Sequence, residues 1–116
     1  MIVKLENLED FQKIVQKEKN VVVDFNATWC SPCRMMSRVI EEIEERLPEV
    51  TFLKVDTDDF PELASEFYIV SIPSFAAYQN GGRVVFRHQG HKEDLHIGGM
   101  SEDDFEDMIR ETFSLK

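Results

Sequence analysis

The chain has 116 residues, of which 42% are hydrophobic, and its formal net charge is -10 at pH 7. This length predicts one domain, residues 1–116, that buries roughly two thirds of the surface exposed by its unfolded chain. The acidity argues against nucleic acid and anionic membrane surfaces as partners, because their phosphate groups would be repelled.

The N-terminal sequence MIVKLENLEDF has neither a basic segment nor a long apolar run, so a signal peptide is not predicted. No run in the chain approaches the ~18 apolar residues of a membrane span. We therefore expect a cytoplasmic protein, although a mature form trimmed of its signal would look the same.

The first part of the chain predicts a strand, a helix and a second strand. Residues 2–5 are a short candidate strand, and apolar residues at helical spacing predict a helix between Asn7 and Lys19. Residues 21–25 read VVVDF, a largely β-branched run that is typical of a strand buried on both faces.

The middle of the chain predicts two helices around a third strand. Pro32 suits the first turn of a helix, and an apolar stripe at helical spacing continues from it until Pro48. Residues 50–56 are the next candidate strand, and a short helix is predicted after Pro61.

The last part of the chain predicts a hairpin and a closing helix. Residues 74–79 and 83–88 flank the sequence NGG, which is a strong hairpin signal. Ser101 is expected to open a final helix that extends to Phe113. The order β-α-β-α-β-α-β-β-α predicts an α/β fold with a central mixed β-sheet flanked by helices on both faces.

Both cysteines of the chain, Cys30 and Cys33, lie where the second strand turns into the second helix. A helix N-terminus favours the thiolate form of Cys30, because its unpaired N–H groups stabilise negative charge. Cys33 lies one helical turn further on, close enough to attack a mixed disulfide formed on Cys30. This spacing favours dithiol–disulfide exchange over a zinc site, which needs about four ligands, and over two inert core cysteines.

The runs VVVDFNATWCSPCRMM, FLKVDTDD and SIPSF, the NGG hairpin and the helix order together resemble the thioredoxin family over nearly the whole chain. The resemblance implies a thioredoxin fold and a thiol–disulfide oxidoreductase that reduces disulfides in protein substrates. It also implies recycling by a thioredoxin reductase-type enzyme, with no bound cofactor or metal, and we expect a monomer. A disulfide oxidant or isomerase on the same fold and a non-catalytic interaction module are the alternatives.

By this resemblance, Cys30 attacks the substrate disulfide and Cys33 resolves the mixed disulfide. Asp24 and Lys54 match the family's buried aspartate and the lysine near it. Burial is expected to raise the pKa of Asp24, which would suit a proton carrier near neutral pH. A purely structural ion pair between Asp24 and Lys54 is the alternative.

The resemblance further implies a docking surface for an extended peptide. Pro73 matches the family's cis-proline, and the backbone just before it would pair with the substrate. The alternatives are a proline that simply starts a strand and, for the tryptophan beside the thiols, a plain core aromatic residue. The candidate substrate-binding residues lie in two short runs: Trp29, Ser31, Pro32, Ser71, Ile72 and Pro73.

Two residues near the cysteines depart from the family pattern. Ser31 replaces the glycine of the commoner Gly-Pro dipeptide, and its hydroxyl is expected to donate to the Cys30 thiolate and make the protein a weaker reductant. Asn26 stands where an aromatic residue is usual. Strand alternation puts its amide on the same face as Asp24, where it is expected to bond the carboxylate.

The family's groove glycine is assigned to Gly90, because the second hairpin strand should match the length of the first; Gly98 is the runner-up. With Gly90 chosen, residues 91–99 are an insertion before the last helix. A solvated loop, a partner-selecting loop and a weak metal site remain open for this segment, which holds or adjoins all three histidines: His88, His91 and His96.

Overall fold

The computed structural model describes all 116 residues and shows four α-helices packed on both faces of a central sheet. The strands are β1 (Ile2–Lys4), β2 (Asn20–Asn26), β3 (Val50–Asp56), β4 (Ser74–Gln79), β5 (Gly82–Val84), β6 (Phe86–His88), β7 (His91–Glu93) and β8 (His96–Ile97). The helices are α1 (Asp10–Lys17), α2 (Ser31–Ile43), α3 (Pro61–Glu66) and α4 (Glu102–Thr112), and a 3₁₀ turn, Glu44–Arg46, follows α2. None of the helices combines the length and the hydrophobicity that a membrane span requires.

The main sheet has the strand order β1-β3-β2-β4-β5, with β8 also paired to β4. β1, β2 and β3 run parallel, whereas β4 is antiparallel to β2. The predicted mixed sheet is therefore confirmed. β2 lies in its centre, which explains why its sequence is almost continuously apolar.

Alternate residues of β2 face two separate cores. Val22 packs with α2 and α4, whereas Val21 and Val23 pack with α1 and α3. Because side chains alternate along a strand, Asp24 lies on the face of Val22, beneath α2. The same alternation puts Lys54 of β3 on the α2 face, two residues after Phe52.

The predicted second strand of the hairpin is interrupted. Val84 of β5 pairs with Ala77, and His96 of β8 pairs with Phe75. Only Ala76 separates these two partners on β4, so a continuous strand would need one residue between Val84 and His96. The chain has residues 85–95 there instead. The insertion predicted at residues 91–99 thus begins earlier, and it lies within the strand rather than after it.

Within the inserted segment, β6 and β7 pair only with each other and form an ordered hairpin. Phe86 is buried in the core beside α4. The backbone N–H of Arg87 donates to the hydroxyl of Thr112, and that of Gln89 donates to the carboxylate of Glu111, each at 3.0 Å. α4 therefore anchors the β6 side of the hairpin, whereas residues 91–94 are exposed, so the part of the segment expected to be a solvated loop is solvated but is ordered as a strand.

The burial of Phe86 predicts that the hairpin contributes to the stability of the whole chain. Phe86→Ala should lower the free energy of unfolding by about 3–5 kcal/mol, as for other fully buried phenylalanines. Lys92→Ala, on the exposed strand β7, is the matched control and should change it by less than about 0.5 kcal/mol. Equilibrium unfolding in urea measures both, and equal effects would show that the hairpin is not part of the core.

Candidate active site

Cys30 and Cys33 lie between β2 and α2 and form a disulfide, with their Cα atoms 5.2 Å apart. Cys30 is the N-cap residue of α2, and its Sγ accepts a hydrogen bond of 3.2 Å from the backbone N–H of Cys33. An N–H donor at a helix N-terminus stabilises negative charge. The geometry therefore favours the thiolate of Cys30 once the disulfide is reduced.

A loop that follows α3 approaches the disulfide from the other side. The peptide bond between Ile72 and Pro73 is cis, as the resemblance implies. The main-chain oxygen of Ile72 lies 3.9 Å from Cys30 Sγ. Ile72 also packs against the small apolar cluster that contains both cysteines. The backbone just before Pro73 is thus a direct neighbour of the reactive sulfur.

Exposed apolar side chains flank this loop. Trp29 is 68% exposed, and its indole N–H donates to the carboxylate of Asp58 at 2.9 Å. Val70 is 90% exposed, although the sequence reasoning did not single it out. Both line an open cleft of about 280 Å³ together with Ser71 and Ile72. The alternative of Trp29 as a core aromatic residue is therefore wrong.

Gly98, rather than Gly90, lies beside the Pro73 loop. The N–H of Gly98 donates to the main-chain oxygen of Pro73 at 2.8 Å. No heavy atom lies within 4 Å of the place where a Cβ of Gly98 would be, and its φ of 96° suits glycine.

Gly90 follows Gln89 in the two-residue turn between β6 and β7, where both residues have positive φ. The assignment of the groove glycine to Gly90 is wrong, because it assumed an uninterrupted strand.

Asp24 is buried beneath α2, and neither of its carboxylate oxygens has a hydrogen-bond partner. Burial raises the pKa of Asp24 from its ordinary value of 3.8 to about 6, although the charge of Lys54 and the nearby Asn26 amide act in the opposite direction. The Asn26 amide donates to the main-chain oxygen of Asp24 at 3.0 Å. Because neither carboxylate oxygen accepts a hydrogen bond, the expected bond from Asn26 to the carboxylate is not formed, and the amide influences the carboxyl only as a nearby group.

Lys54 lies opposite Asp24 in the register of β2 and β3, but no hydrogen bond joins their side chains. The Lys54 ammonium donates instead to the hydroxyl of Ser37 at 2.9 Å. The alternative of a direct structural ion pair with Asp24 is therefore wrong. Sequence reasoning missed Ser37, although its position four residues after Cys33 places both on one side of α2.

An open cavity of about 280 Å³ lies on the Cys33 side of the disulfide. Cys33, Ser37, Lys54 and Asn26 all contribute to its lining, as does Arg34. This cavity is separate from the cleft lined by Trp29, so Cys33 borders a polar cavity of its own.

Ser31 is exposed at the start of α2, and its hydroxyl accepts a hydrogen bond of 2.9 Å from the Arg34 guanidinium. Arg34 also donates to the main-chain oxygen of Thr28 at 2.8 Å. Pro32 follows Ser31 in the first turn of α2. The hydroxyl hydrogen of Ser31 remains available, so its donation to a Cys30 thiolate stays a prediction.

The three histidines do not converge on a site. The ring of His96 pairs with Glu93 at 2.6 Å, whereas His91 is exposed next to the hairpin turn. No group of three or more His, Cys, Asp or Glu side chains is placed to hold a metal ion.

Comparison with known proteins agrees with this geometry. The sequence profile of the thioredoxin family matches residues 2–110. The chain belongs to the thioredoxin family. Thioredoxin H-type of Fagopyrum esculentum is 40% identical over 87 residues, which cover 75% of this chain and 75% of that protein.

Two further relatives bear on structure and partners. The oxidised mitochondrial thioredoxin 3 of Saccharomyces cerevisiae superimposes with a TM-score of 0.75 at 30% identity, over 95% of this chain and 94% of that one. The bifunctional thioredoxin reductase/thioredoxin of Mycobacterium leprae is 46% identical over 83 residues, or 71% of this chain and 18% of that protein. The fold and family implied by the sequence are confirmed, and with the Cys30–Cys33 disulfide they establish a dithiol–disulfide oxidoreductase.

The buried carboxyl of Asp24 predicts a pH-dependent cost to stability. Its pKa is higher in the folded chain, about 6, than the ordinary value expected in the unfolded chain. The folded state therefore loses stability as the pH rises through this window, by about 3 kcal/mol in total. Asp24→Asn removes this loss, so its stability relative to the unaltered protein should increase between about pH 4 and pH 8.

Urea unfolding of the oxidised proteins across this pH range measures the difference. Asp103→Asn, an exposed carboxyl in the first turn of α4, is the control and should show little pH-dependent gain. A stability difference for Asp24→Asn that does not vary with pH would contradict the raised pKa.

Proposed function

We propose that the protein is a thioredoxin-type reductant of disulfides in other proteins, with Cys30 as the attacking thiol and Cys33 as the resolving thiol. The observation that carries the proposal is the position of Cys30 at the N-cap of α2, next to the exposed cleft formed by Trp29, Val70 and Ile72. A substrate disulfide can reach Cys30 from this side, whereas Cys33 lies one turn further into the helix.

The first step forms a mixed disulfide. The Cys30 thiolate attacks one sulfur of the substrate disulfide, the substrate S–S bond breaks, and the other substrate sulfur leaves as a thiolate that takes up a proton. The N–H of Cys33, which bonds Cys30 Sγ, stabilises the attacking thiolate before this step.

The second step returns the protein to its disulfide form. Cys33 loses its proton and attacks Cys30 Sγ, the bond to the substrate breaks, and the substrate leaves with both sulfurs reduced. Two electrons pass from the cysteine pair to the substrate, so no bound cofactor is needed. We propose that Asp24 accepts the proton that Cys33 loses, because a buried carboxylate with a pKa of about 6 suits proton transfer near neutral pH.

Substrate binding would use the cleft and the backbone around Pro73. An extended peptide can lie along Ser71 and Ile72 and use their main-chain groups, while Trp29 and Val70 offer apolar contact. The open space beside Gly98 leaves room for the peptide backbone. Ser31 and Pro32 would border the same peptide at the start of α2.

The electrons are resupplied, in this proposal, by a thioredoxin reductase-type enzyme. The relative in Mycobacterium leprae, which is named as both reductase and thioredoxin, supports such a pairing. A reductant of this kind works where thiols are kept reduced, which favours the cytoplasm. We further propose that residues 1–116 act as one domain, because both core clusters pack on the same central sheet, and that this domain acts as a monomer.

Trapping the mixed disulfide tests the assigned roles. Reduced Cys33→Ser protein mixed with insulin should form a covalent complex through Cys30 that persists until dithiothreitol is added, because no resolving thiol remains. The matched Cys30→Ser variant should form none, and the unaltered protein should release reduced insulin without accumulating a complex. Non-reducing gel electrophoresis and mass spectrometry identify the linked cysteine.

Capture of insulin by Cys33 in the Cys30→Ser variant would overturn the assignment. Absence of any complex with Cys33→Ser would argue for a binding module instead.

A further inference from the structure

We propose that Ser37 is a positioning residue that holds the Lys54 ammonium close to Asp24 during the resolving step, by way of the hydrogen bond that its hydroxyl accepts. This inference rests on the proposed proton transfer from Cys33 to Asp24. Neither the spacing of the cysteines nor the family resemblance assigns a role to Ser37.

The first support is the geometry of the three side chains. Lys54 Nζ donates to Ser37 Oγ at 2.9 Å. Ser37 lies one helical turn after Cys33 on α2, and Lys54 lies opposite Asp24 across the β2–β3 pair. The hydrogen bond therefore fixes the ammonium between the helix that carries the resolving thiol and the strand that carries the buried carboxyl.

The second support is that the surroundings of Lys54 offer few other anchors. The charged and titratable groups that face it are Asp24 on β2, Asp56 on its own strand, Lys4 on β1, and Cys33 and Arg34 on α2. Lys4 and Arg34 repel an ammonium. The carboxylate of Asp56 accepts the backbone N–H groups of Asp58 and Asp59 through its Oδ1, at 2.8 Å and 3.4 Å, and forms no ion pair with Lys54.

The third support is the unbonded state of the Asp24 carboxylate. Its oxygens have no hydrogen-bond partner, so they are free to take a proton, while the charge of Lys54 lowers the pKa that burial alone would give. Without the Ser37 hydroxyl, the ammonium would move into the open cavity, where water solvates it strongly. Asp24 would then hold its proton to higher pH.

The experiment compares Ser37→Ala with Ser37→Thr, which keeps a hydroxyl at the same position. The Asp24 midpoint is followed in the reduced proteins by the ¹³C shift of its carboxyl carbon. The rate of the resolving step is followed between about pH 5 and pH 8 by Trp29 fluorescence after rapid mixing with excess disulfide peptide. Ser37→Ala should raise both midpoints by about half a pH unit or more. At the acidic end of the range, less of Asp24 is then ionised, so the resolving step should slow by about threefold. Ser37→Thr should restore both.

Two further variants make the result decisive. In a Lys54→Met background, Ser37→Ala should cause no further shift, because the ammonium that it positions is gone. An unchanged or lowered midpoint in Ser37→Ala, or a shift that persists with Lys54→Met, would overturn the inference. Asp24→Asn separates this from the proposed function: if it leaves the pH dependence of the resolving step intact, the proton-transfer role of Asp24 itself fails.

Discussion

β2 pairs with β3 on one side, from Asn20 to Asn26, and with β4 on the other side, from Asn20 to Phe25. A strand held on both edges and buried on both faces cannot slip by one residue, because a slip would exchange its two faces. This constraint keeps Asp24 beneath α2 and Val23 in the opposite core. It also fixes where the chain leaves the sheet, and so where Cys30 caps α2.

From that junction the two sulfurs acquire different surroundings. Cys30 lies against Ile72 of the Pro73 loop, and Ile72 also lines the exposed cleft. Cys33 borders a polar cavity lined by Ser37 and Lys54. The division suits a reaction in which one thiol meets the substrate and the other exchanges a proton with the protein. A buried carboxyl costs stability at neutral pH, and such a cost is typical of sites selected for activity.

The sequence was sufficient to predict the sheet, the helix order and the cysteine junction, because VVVDF and the stripe after Pro32 have unambiguous periodicity. It did not reveal the β6–β7 hairpin, since RVVFRH has the composition of one continuous strand. Gly90 was chosen over Gly98 for that reason. The bond between Ser37 and Lys54 joins distant parts of the chain, which no local pattern can indicate. Strand alternation gave the face of Asn26 correctly but not its acceptor.

An equilibrium redox titration against glutathione or dithiothreitol shows whether the cysteine pair is a reductant. Trp29 is the only tryptophan and lies next to Cys30, so its fluorescence reports the state of the pair. One reversible two-electron transition is expected at about -270 mV, the range of cytosolic reductants. A potential of about -180 mV or higher, typical of disulfide isomerases and oxidants, would contradict it.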